Sequence, residues 1–535
     1  MSVLFTDVLL WAPDEPSGMT GPTDLLVTGT TIAVIGATAR AAAPADVRVV
    51  DGRGHHIVLP GLVNAHFHSP ANHLKGAFPS RPLETFMLYE SPSDPALTPT
   101  PREAYLRTML GALEMLRTGT TSVQDDAFLT PTPDPEVIDA VMQAYADSGI
   151  RASVALDQPE LPDVEKLPFL DDLGTDDLGL GLGLDEATTR ALHAPAPASA
   201  ADLLDAYDHL FRNWHGAADG RLTAAVSISA PQRVSPEYFG ALDDLSRTHD
   251  VPLFAHVLET RTQRALSHPS SGQPRFVGRS LVRYTADLGL LSDRVNVIHA
   301  VWVDDDDLDL IAAADAVVAH NPVSNLRLGS GVMPFRAMRD RGIRVALGVD
   351  EAICDDTVNT WGVVKQAGLI HTVTGDDPDR WPRPAEVLEA LWAGGAAAMR
   401  RDGRSALGTV GHVAVGAEAD LALLDLHASA FTPFNDLRGQ LVYCESGASV
   451  RMTVVAGTVV AEGGRVTSVD EDALLAEARE LHAARRPALE RTWADADRLR
   501  PAYAAVVRRA AATDLGLPDR GIAPAHRTTT NGMTA

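Results

Sequence analysis

Residues 60–68 read Pro-Gly-Leu-Val-Asn-Ala-His-Phe-His, a short apolar run that ends in two histidines, His66 and His68. An apolar run of this length between turn residues predicts a buried strand. Alternate side chains on an extended backbone point the same way, so both imidazoles can face one metal ion at the carboxyl end of the strand. Taken alone, such a pair is more often two polar residues that close a strand. A metal site is therefore predicted only if other parts of the chain supply further ligands.

Similar apolar runs alternate with helical patterns through the middle of the chain. This alternation is typical of βα units around a parallel sheet, and eight units favour a (β/α)8 barrel over an open sheet. We therefore predict an α/β protein built on a TIM barrel. The eight predicted strands are 62–65, 120–123, 152–156, 222–228, 253–256, 295–299, 316–319 and 345–349.

Three more of these strands end in residues that can bind a metal or carry a proton. The fifth ends at His256, the sixth at His299, and the eighth is followed by Asp350. The active sites of such barrels lie at the carboxyl ends of the strands, so these side chains are expected to meet at one mouth. Glu259, three residues after His256, could take a proton from a metal-activated water, although a helix-capping role is also typical of this position.

Short alternating strands flank the predicted barrel on both sides. Residues 1–59 and 405–470 together predict a small β-sandwich domain, and residues 60–404 the barrel. Residues 471–535 predict an arginine-rich helix followed by a disordered tail of about ten residues. Within the barrel, the Pro-, Gly- and Asp-rich segment 157–200 predicts a long loop over one rim, in which the run 179–184 has no clear assignment.

Together, these motifs resemble the amidohydrolase superfamily, in particular the branch that includes guanine and S-adenosylhomocysteine deaminases and atrazine chlorohydrolase. The resemblance covers roughly residues 1–470 and rests on segments 60–68, 256–259, 299–300, 320–331, 348–350 and 415–425. It implies one divalent metal ion with four ligands: His66, His68, His256 and Asp350. It also implies that Glu259 shuttles protons and that His299 steadies hydroxide or substrate.

The lysines bear on the number of metal ions. Binuclear members of the superfamily usually bridge two ions with a carboxylated lysine on the fourth strand. The only lysines of this chain are Lys75, Lys166 and Lys365, and none ends the predicted fourth strand. We therefore expect one metal ion, with a bridging Glu or Cys left open. Histidine and carboxylate ligands suit Zn²⁺, our first choice, or Fe²⁺.

Seven other residues are candidate substrate contacts: His320, Asn325, Gln124, Gln232, Glu84, Glu90 and Glu351. Glu351 follows the expected ligand Asp350, where it could recognise a cationic or hydrogen-donating substrate or could be a solvated loop acid. Glu84 and Glu90 lie in segment 72–90, which is expected to form a lid. His320 and Asn325 belong to the motif 320–331 that carries the resemblance. Gln124 and Gln232 lie at the ends of predicted strands, where they could equally form hydrogen bonds at the rim of the barrel.

These expectations converge on a metal-dependent hydrolase that deaminates a cyclic amidine or aminated N-heterocycle, of purine, pteridine or triazine type. In this hypothesis a metal-bound hydroxide attacks an sp² carbon and Glu259 protonates the departing nitrogen. One alternative is ring opening of a cyclic amide or dechlorination of a triazine. A second is an inactive metal-binding barrel that acts as an interaction protein.

Composition narrows the partners. The 45 Lys and Arg against 71 Asp and Glu leave a net charge of −26, which disfavours binding to nucleic acids and anionic lipids. No run approaches the roughly 20 apolar residues of a membrane helix. We therefore expect a cytoplasmic enzyme with a small heterocyclic substrate and, from the family resemblance, a homodimer.

Overall fold

The computed structural model of the chain describes residues 2–90, 97–170, 186–374, 377–518 and 520–521. Its strands fall into three groups along the chain. The first group is β1 (Ser2–Trp11), β2 (Met19–Thr28), β3 (Thr31–Ile35), β4 (Arg48–Asp51) and β5 (His56–Pro60). The second is β6 (Leu62–His68), β7 (Thr120–Ala127), β8 (Arg151–Leu156), β9 (Leu222–Ala224), β10 (Val226–Ser227), β11 (Leu253–Val257), β12 (Val295–His299), β13 (Val317–His320), β14 (Arg344–Leu347) and β15 (Asp350–Glu351). The third is β16 (Leu421–Asp425), β17 (Val450–Val455), β18 (Thr458–Glu462) and β19 (Arg465–Val466).

The second group forms the barrel. Its strands pair in parallel as two five-stranded sheets, in the orders β15-β6-β7-β8-β9 and β10-β11-β12-β13-β14. The sheets join where the fourth barrel strand is broken into β9 and β10 and the eighth into β14 and β15. At the first break, Ala225 N–H donates to the carbonyl of Val154 (2.8 Å), and at the second Gly348 N–H donates to that of His320 (3.0 Å). Eight strand positions result, so the predicted barrel with a separate β-rich part is confirmed.

Helices connect the barrel strands and cover them outside. Thr100 and Glu103 form a capping box at the start of Pro101–Arg117, which explains why this helix begins where it does. The other helices of the barrel region are Leu83–Glu90, Pro135–Ser148, Glu186–Leu192, Ala200–Trp214, Ala217–Gly220, Pro236–His249, Arg261–Ala265, Leu281–Asp287, Asp305–Ala313, Pro322–Arg327, Phe335–Asp340, Thr360–Ile370, Pro384–Glu389 and Gly395–Ala398. Ala39–Ala42, Leu437–Tyr443 and Glu471–Ala512 lie outside it.

Small residues close one end of the barrel. Ala397 and Ala398, from helix Gly395–Ala398, are buried in one cluster with Ala65, Val317 and Ala346 of the barrel strands. Small side chains in this layer let the helix approach the strands closely. The opposite end, where the strands finish, is left as the mouth.

The first and third groups of strands form one mixed sheet, with both parallel and antiparallel pairs, beside the barrel. Its order is β19-β18-β17-β16-β5-β1-β2-β3, with β4 paired to β1. A buried ion pair ties it to the barrel: the Arg151 guanidinium donates to both oxygens of Asp420 (2.6 and 3.0 Å) and to Glu418 (2.9 Å). Because Arg151 and Asp420 are both buried, this pair also fixes the position of β8.

Two predictions outside the barrel strands need comment. The segment 157–200, predicted as a long loop, contains the 3₁₀ turn Asp163–Glu165 and the helix Glu186–Leu192. The Pro and Gly content of the whole segment obscured the helix-forming residues of this short run. Its run 179–184 and the predicted disordered tail lie outside the described residues. No helix in the described part of the chain is long and apolar enough to cross a membrane.

Candidate metal centre

Four side chains from three strand positions meet at the mouth. His66 and His68 come from β6, His256 from β11 and Asp350 from β15. The distance from Asp350 Oδ1 is 3.3 Å to His66 Nε2 and 3.4 Å to His68 Nε2, and His68 Nε2 lies 3.3 Å from His256 Nε2. All four residues are buried. The mouth therefore concentrates three imidazole nitrogens and one carboxylate oxygen around one point.

Second contacts orient two of the imidazole rings. His68 Nδ1 lies 2.5 Å from the carbonyl oxygen of Asp126, and His256 Nδ1 lies 2.7 Å from that of Ser229. A carbonyl only accepts hydrogen bonds, so each Nδ1 must carry a proton, and Nε2 is the nitrogen of each ring that faces the cluster. His66 Nε2 is buried and has no hydrogen-bond partner among the described residues. The Nε2 atoms of His66, His68 and His256 thus face one another and Asp350 Oδ1 at the centre of the cluster.

The protonation states of the cluster also suit a cation. Burial lowers the pKa of His66 to about 4, so its ring is neutral at pH 7. Burial opposes ionisation of Asp350, but the adjacent His66 and the other neighbouring histidines lower the pKa of this carboxyl below its usual value. A neutral imidazole and an ionised carboxylate are the forms that bind metals.

Glycine at position 348 allows the eighth strand to reach the cluster. A Cβ at Gly348 would lie 2.3 Å from Asn321 Oδ1 and 2.8 Å from His66 Cβ. Any side chain would therefore push β15 away from β6. This close approach places Asp350 opposite Phe67 in the register of the two strands, next to the histidines.

Glu259 and His299 stand beside the cluster. Glu259 is buried, and its Oε2 lies 3.6 Å from His299 Nε2. Burial, with Asp350 and Glu84 nearby, raises the pKa of Glu259 well above its usual value, as expected of a group that must hold and release a proton. His299 Nδ1 lies 2.9 Å from Asn325 Oδ1, which fixes the ring so that Nε2 faces Glu259 and Asp350.

Backbone strain is concentrated at these strand ends. Ser229, Leu258, His299 and Asp350 all have positive φ, between 51° and 72°. This conformation is energetically unfavourable for residues other than glycine, and it persists only where the surrounding structure enforces it. Asp350 belongs to the cluster, Ser229 and His299 contact it, and Leu258 precedes Glu259.

Comparisons with known proteins match this arrangement. The amidohydrolase family model matches residues 57–460, about three quarters of the chain. The chain belongs to the amidohydrolase family. It is 34% identical over 454 residues to a 5-methylthioadenosine/S-adenosylhomocysteine deaminase of Nitratidesulfovibrio vulgaris, covering 85% of this chain and 90% of that protein. It is 30% identical over 433 residues to a 5'-deoxyadenosine deaminase of Methanosarcina acetivorans, covering 81% and 87%.

Solved structures support the fold of this amidohydrolase. An adenosine deaminase from Xanthomonas campestris with bound zinc superposes with a TM-score of 0.74 at 24% identity, covering 91% of this chain and 98% of that one. The atrazine chlorohydrolase of Arthrobacter aurescens TC1, complexed with zinc, gives 0.73 at 24% identity, covering 90% and 100%. At this identity the likeness extends to the fold alone.

Two adjacent cavities lie beside the cluster of this amidohydrolase. The inner cavity, of about 30 Å³, is lined by three of the four cluster residues, by Glu259, His299 and Glu351, and by Arg233. The outer cavity, of about 440 Å³, is lined among others by Glu84 and Gln232. Leu83, Met87, Phe128 and Arg233 line both, so the two cavities share a wall.

The two candidate acids next to the mouth pair with each other. Glu351 is buried and is hydrogen-bonded to Glu90, and Cys354 Sγ lies 3.6 Å from Glu351 Oε2. Burial and Glu90 raise the pKa of Glu351 well above its usual value. Two carboxyl groups in hydrogen-bond contact share a proton, so this pair carries less charge than the sequence suggests. Glu351 faces the inner cavity, whereas Glu90 lines a separate small cavity.

Four of the seven predicted substrate contacts line neither of these two cavities: Gln124, His320, Asn325 and, as described above, Glu90. Gln124 lies within β7, not at its end, and donates to the carbonyl of Ala398 (3.0 Å) while accepting from Asn296 (3.2 Å). It therefore belongs to the closed end of the barrel. His320 packs against His371, with 3.2 Å between their Nε2 atoms, and lines neither cavity. Asn325 reaches the site only through His299.

Sequence reasoning missed Arg233. Its guanidinium donates to Ser229 Oγ (3.0 Å) and lines both cavities, beside Gln232. It follows the fourth strand by five residues and has no metal-binding chemistry, so nothing in its spacing distinguished it from an ordinary rim arginine. Arg233 thus adds a positive charge to a cavity that is also lined by the acids Glu259, Asp350 and Glu351.

Proposed function

We propose that the chain is a mononuclear metal-dependent deaminase of an aminated N-heterocycle. His66, His68, His256 and Asp350 would hold the ion. The spacing of their donor atoms carries this proposal: ligands at 2.0–2.1 Å around a tetrahedral Zn²⁺ lie about 3.3 Å apart, and three of the six distances between these donor atoms are 3.3, 3.3 and 3.4 Å. A cluster built only for hydrogen bonding would not leave its lone pairs facing one another.

Zn²⁺ is the first choice for the ion and Fe²⁺ the alternative. Nitrogen and carboxylate donors suit both, and the zinc in the two related structures favours the former. One ion is expected, because none of the three lysines lines the inner cavity; Lys166 is paired with Asp163 (2.5 Å) on the outer one. When bound, such an ion lowers the pKa of a water molecule toward neutrality and polarises the substrate.

The protein's own groups would then handle the protons. Glu259, with its raised pKa, takes a proton from the attacking water and returns it to the departing amino nitrogen, so that ammonia leaves. His299 keeps a lone pair on Nε2, because its Nδ1 is engaged by Asn325, and so can accept a hydrogen bond from the water or from a ring N–H. The enclosure of the inner cavity strengthens both contacts by excluding solvent.

Adenosine-type compounds are the first substrates to test. Two relatives named above, at 34% and 30% identity over more than four fifths of the chain, are deaminases of 5'-modified adenosines. A 6-amino purine offers the exocyclic amino group on an sp² carbon that the proposed chemistry requires. Glu84, Gln232, Glu351 and Arg233 remain candidate contacts for the rest of such a molecule.

Ammonia release tests the proposal. Purified protein with a measured metal content is incubated with adenosine, 5'-deoxyadenosine, guanine, an aminopteridine, an aminotriazine and a chlorotriazine. Deamination predicts ammonia in stoichiometric yield from at least one aminated compound. Chloride release alone would favour dechlorination, ring opening without ammonia would favour a cyclic amide hydrolase, and no reaction despite bound metal would favour an inactive barrel.

The sequence also predicts the oligomeric state, the location and the domain boundaries of the protein. We propose a homodimer in the cytoplasm, with a barrel at residues 60–404, a β-rich domain at 1–59 and 405–470, and a C-terminal region at 471–535. Light scattering coupled to size exclusion tests the dimer, and limited proteolysis tests the boundaries.

A further inference from the structure

The inner cavity is too small for a whole substrate. Its volume of about 30 Å³ corresponds to roughly one water molecule, whereas sites for small ligands usually span about 300–1,000 Å³. Only a few atoms at the reacting end of a substrate can enter it. The remaining part of any heterocyclic substrate must lie in the outer cavity, whose 440 Å³ falls within the usual range.

The C-terminal helix Glu471–Ala512 forms one wall of the outer cavity. Thr492, Asp495, Ala496, Leu499 and Tyr503 of this helix line it. Their spacing of i, i+3, i+4, i+7 and i+11 places them on a single helical face. The cavity is thus built from the barrel rim on one side and from this helix on the other.

Anchors on both sides of this face hold the helix in place. Trp493 Nε1 donates to the carbonyl of Tyr89 (3.2 Å), and the Tyr89 hydroxyl donates to Asp497 (2.5 Å). Farther along, the Tyr503 hydroxyl is hydrogen-bonded to Asp163, and Arg261 donates to the carbonyl of Ala510 (3.1 Å). Tertiary contacts at both ends make the helix a fixed wall of the cavity.

The wall is mainly apolar where the helix faces the rim. Leu499 and Tyr503 cluster with Leu88, Leu167 and Leu192, and the first four of these residues line the cavity. The charged side chains nearby are already paired: Asp163 with Lys166, and Asp495 with Arg498. An occupant of this region would gain from burying apolar surface.

One buried acceptor lies between the apolar wall and the inner cavity. Gln232 is 3% exposed, lines the outer cavity, and its Oε1 has no hydrogen-bond partner among the described residues. A buried polar atom left without a partner costs free energy, and binding a donor would recover it. This position, next to Arg233, suits an O–H or N–H of the substrate near its reacting ring.

We propose that the substrate carries an apolar arm beyond its reacting ring, and that this arm lies along the C-terminal helix against Leu499, with a donor group of the substrate on Gln232. The arm is the occupant of the outer cavity, because that cavity adjoins the inner one at Leu83, Met87, Phe128 and Arg233. This inference rests on the proposed function, since it assigns the two ends of one substrate to the two cavities. In this proposal the C-terminal helix determines substrate specificity, whereas the reaction takes place at the carboxyl ends of the barrel strands.

The test compares two substrates with the same ring. The probes are 5'-deoxyadenosine and 5'-deoxy-5'-(phenylthio)adenosine, and the readout is the ratio of their kcat/KM values. Leu499→Ala removes part of the apolar wall, and we expect it to lower the preference for the phenylthio compound by about tenfold. Ala496→Phe fills the cavity from the same helical face and should lower that preference further.

Leu474→Ala is the matched control. It makes the same change on the same helix, at a half-buried leucine that packs on the main core and does not line the cavity. An unchanged ratio in Leu499→Ala and Ala496→Phe, or an equal change in Leu474→Ala, would overturn the inference. If neither probe releases ammonia, the proposed function fails separately. In that case calorimetry measures the affinity of the phenylthio compound for the unmodified and Leu499→Ala proteins. A loss of affinity in Leu499→Ala supports the inference, and equal affinity overturns it.

Discussion

Replacing Glu259 by Gln removes the proton carrier and leaves the shape of the site. The amide has nearly the volume of the carboxyl, and the backbone N–H of residue 259 keeps its hydrogen bond to Gln263 Oε1 (2.8 Å). The only side-chain hydrogen bond of Glu259 among the described contacts is a long one from Ser330 Oγ (3.4 Å), which an amide oxygen can also accept. Because the charged carboxylate is costly to bury here, the Gln variant should unfold at no lower temperature than the unmodified protein.

The expected loss follows from the two proton transfers assigned to this group. General acid and general base catalysis each contribute about 10²–10⁴-fold, so kcat should fall by at least about 10⁴, or about 5.5 kcal/mol of barrier. KM should change little, because the walls of both cavities are intact. The metal content should also be unchanged, because Glu259 is not among the four cluster residues.

Coupled detection of ammonia measures kcat and KM, and elemental analysis of the same samples measures the metal. Glu237→Gln, the same substitution at an exposed position in the first turn of helix Pro236–His249, serves as the control. A Glu259→Gln protein that keeps its metal and turns over within tenfold of the unmodified rate would refute the assignment of this residue.

Three further variants test other parts of the structure. Asn325→Ala releases the Nδ1 of His299 and should lower kcat by about 10- to 100-fold at constant metal content, as measured by steady-state kinetics, whereas an unchanged kcat would show that the ring needs no support. Arg151→Met leaves the Asp420 carboxylate buried without its partner and should lower the free energy of unfolding by about 3–5 kcal/mol in denaturant titrations; a loss below 1 kcal/mol would contradict the role of the pair. Burial raises the pKa of Asp355 to about 7, so the folded state holds a proton that the unfolded state releases above about pH 4, and stability falls as pH rises from 4 to 7. Asp355→Asn should therefore raise the melting temperature at pH 8 more than at pH 5, and an equal effect at both pH values would argue against the raised pKa.

The barrel and its reactive centre were predictable because the relevant signals are local. An apolar strand followed by a polar residue repeats along the chain, and parallel strands bring their carboxyl ends to one edge whatever their separation in sequence. This is why His66, His256, His299 and Asp350 could be placed together without a structure. The break of the eighth strand before Asp350 was not visible, because it depends on the contact of Gly348 with His66.

The surroundings of the centre depend on long-range packing and could not be predicted in the same way. Gln124 has the sequence context of a strand end, yet β7 continues to Ala127 and its amide is bound at the closed end of the barrel. The arginine-rich composition of the C-terminal helix gave no indication that one of its faces lines the outer cavity. That placement follows from tertiary contacts such as Trp493 with Tyr89, which no periodicity encodes.

The metal content of the active protein tests the central claim most directly. Protein purified without added metal is analysed by mass spectrometry for transition ions, stripped with a chelator, and reconstituted with Zn²⁺ or Fe²⁺ while ammonia release is followed. We predict one ion per chain, loss of activity in proportion to its removal, recovery on its return, and less than about 0.1 ion per chain in a His66→Ala/His68→Ala double variant. Full activity in the stripped protein, or a full complement of metal in the double variant, would contradict the claim.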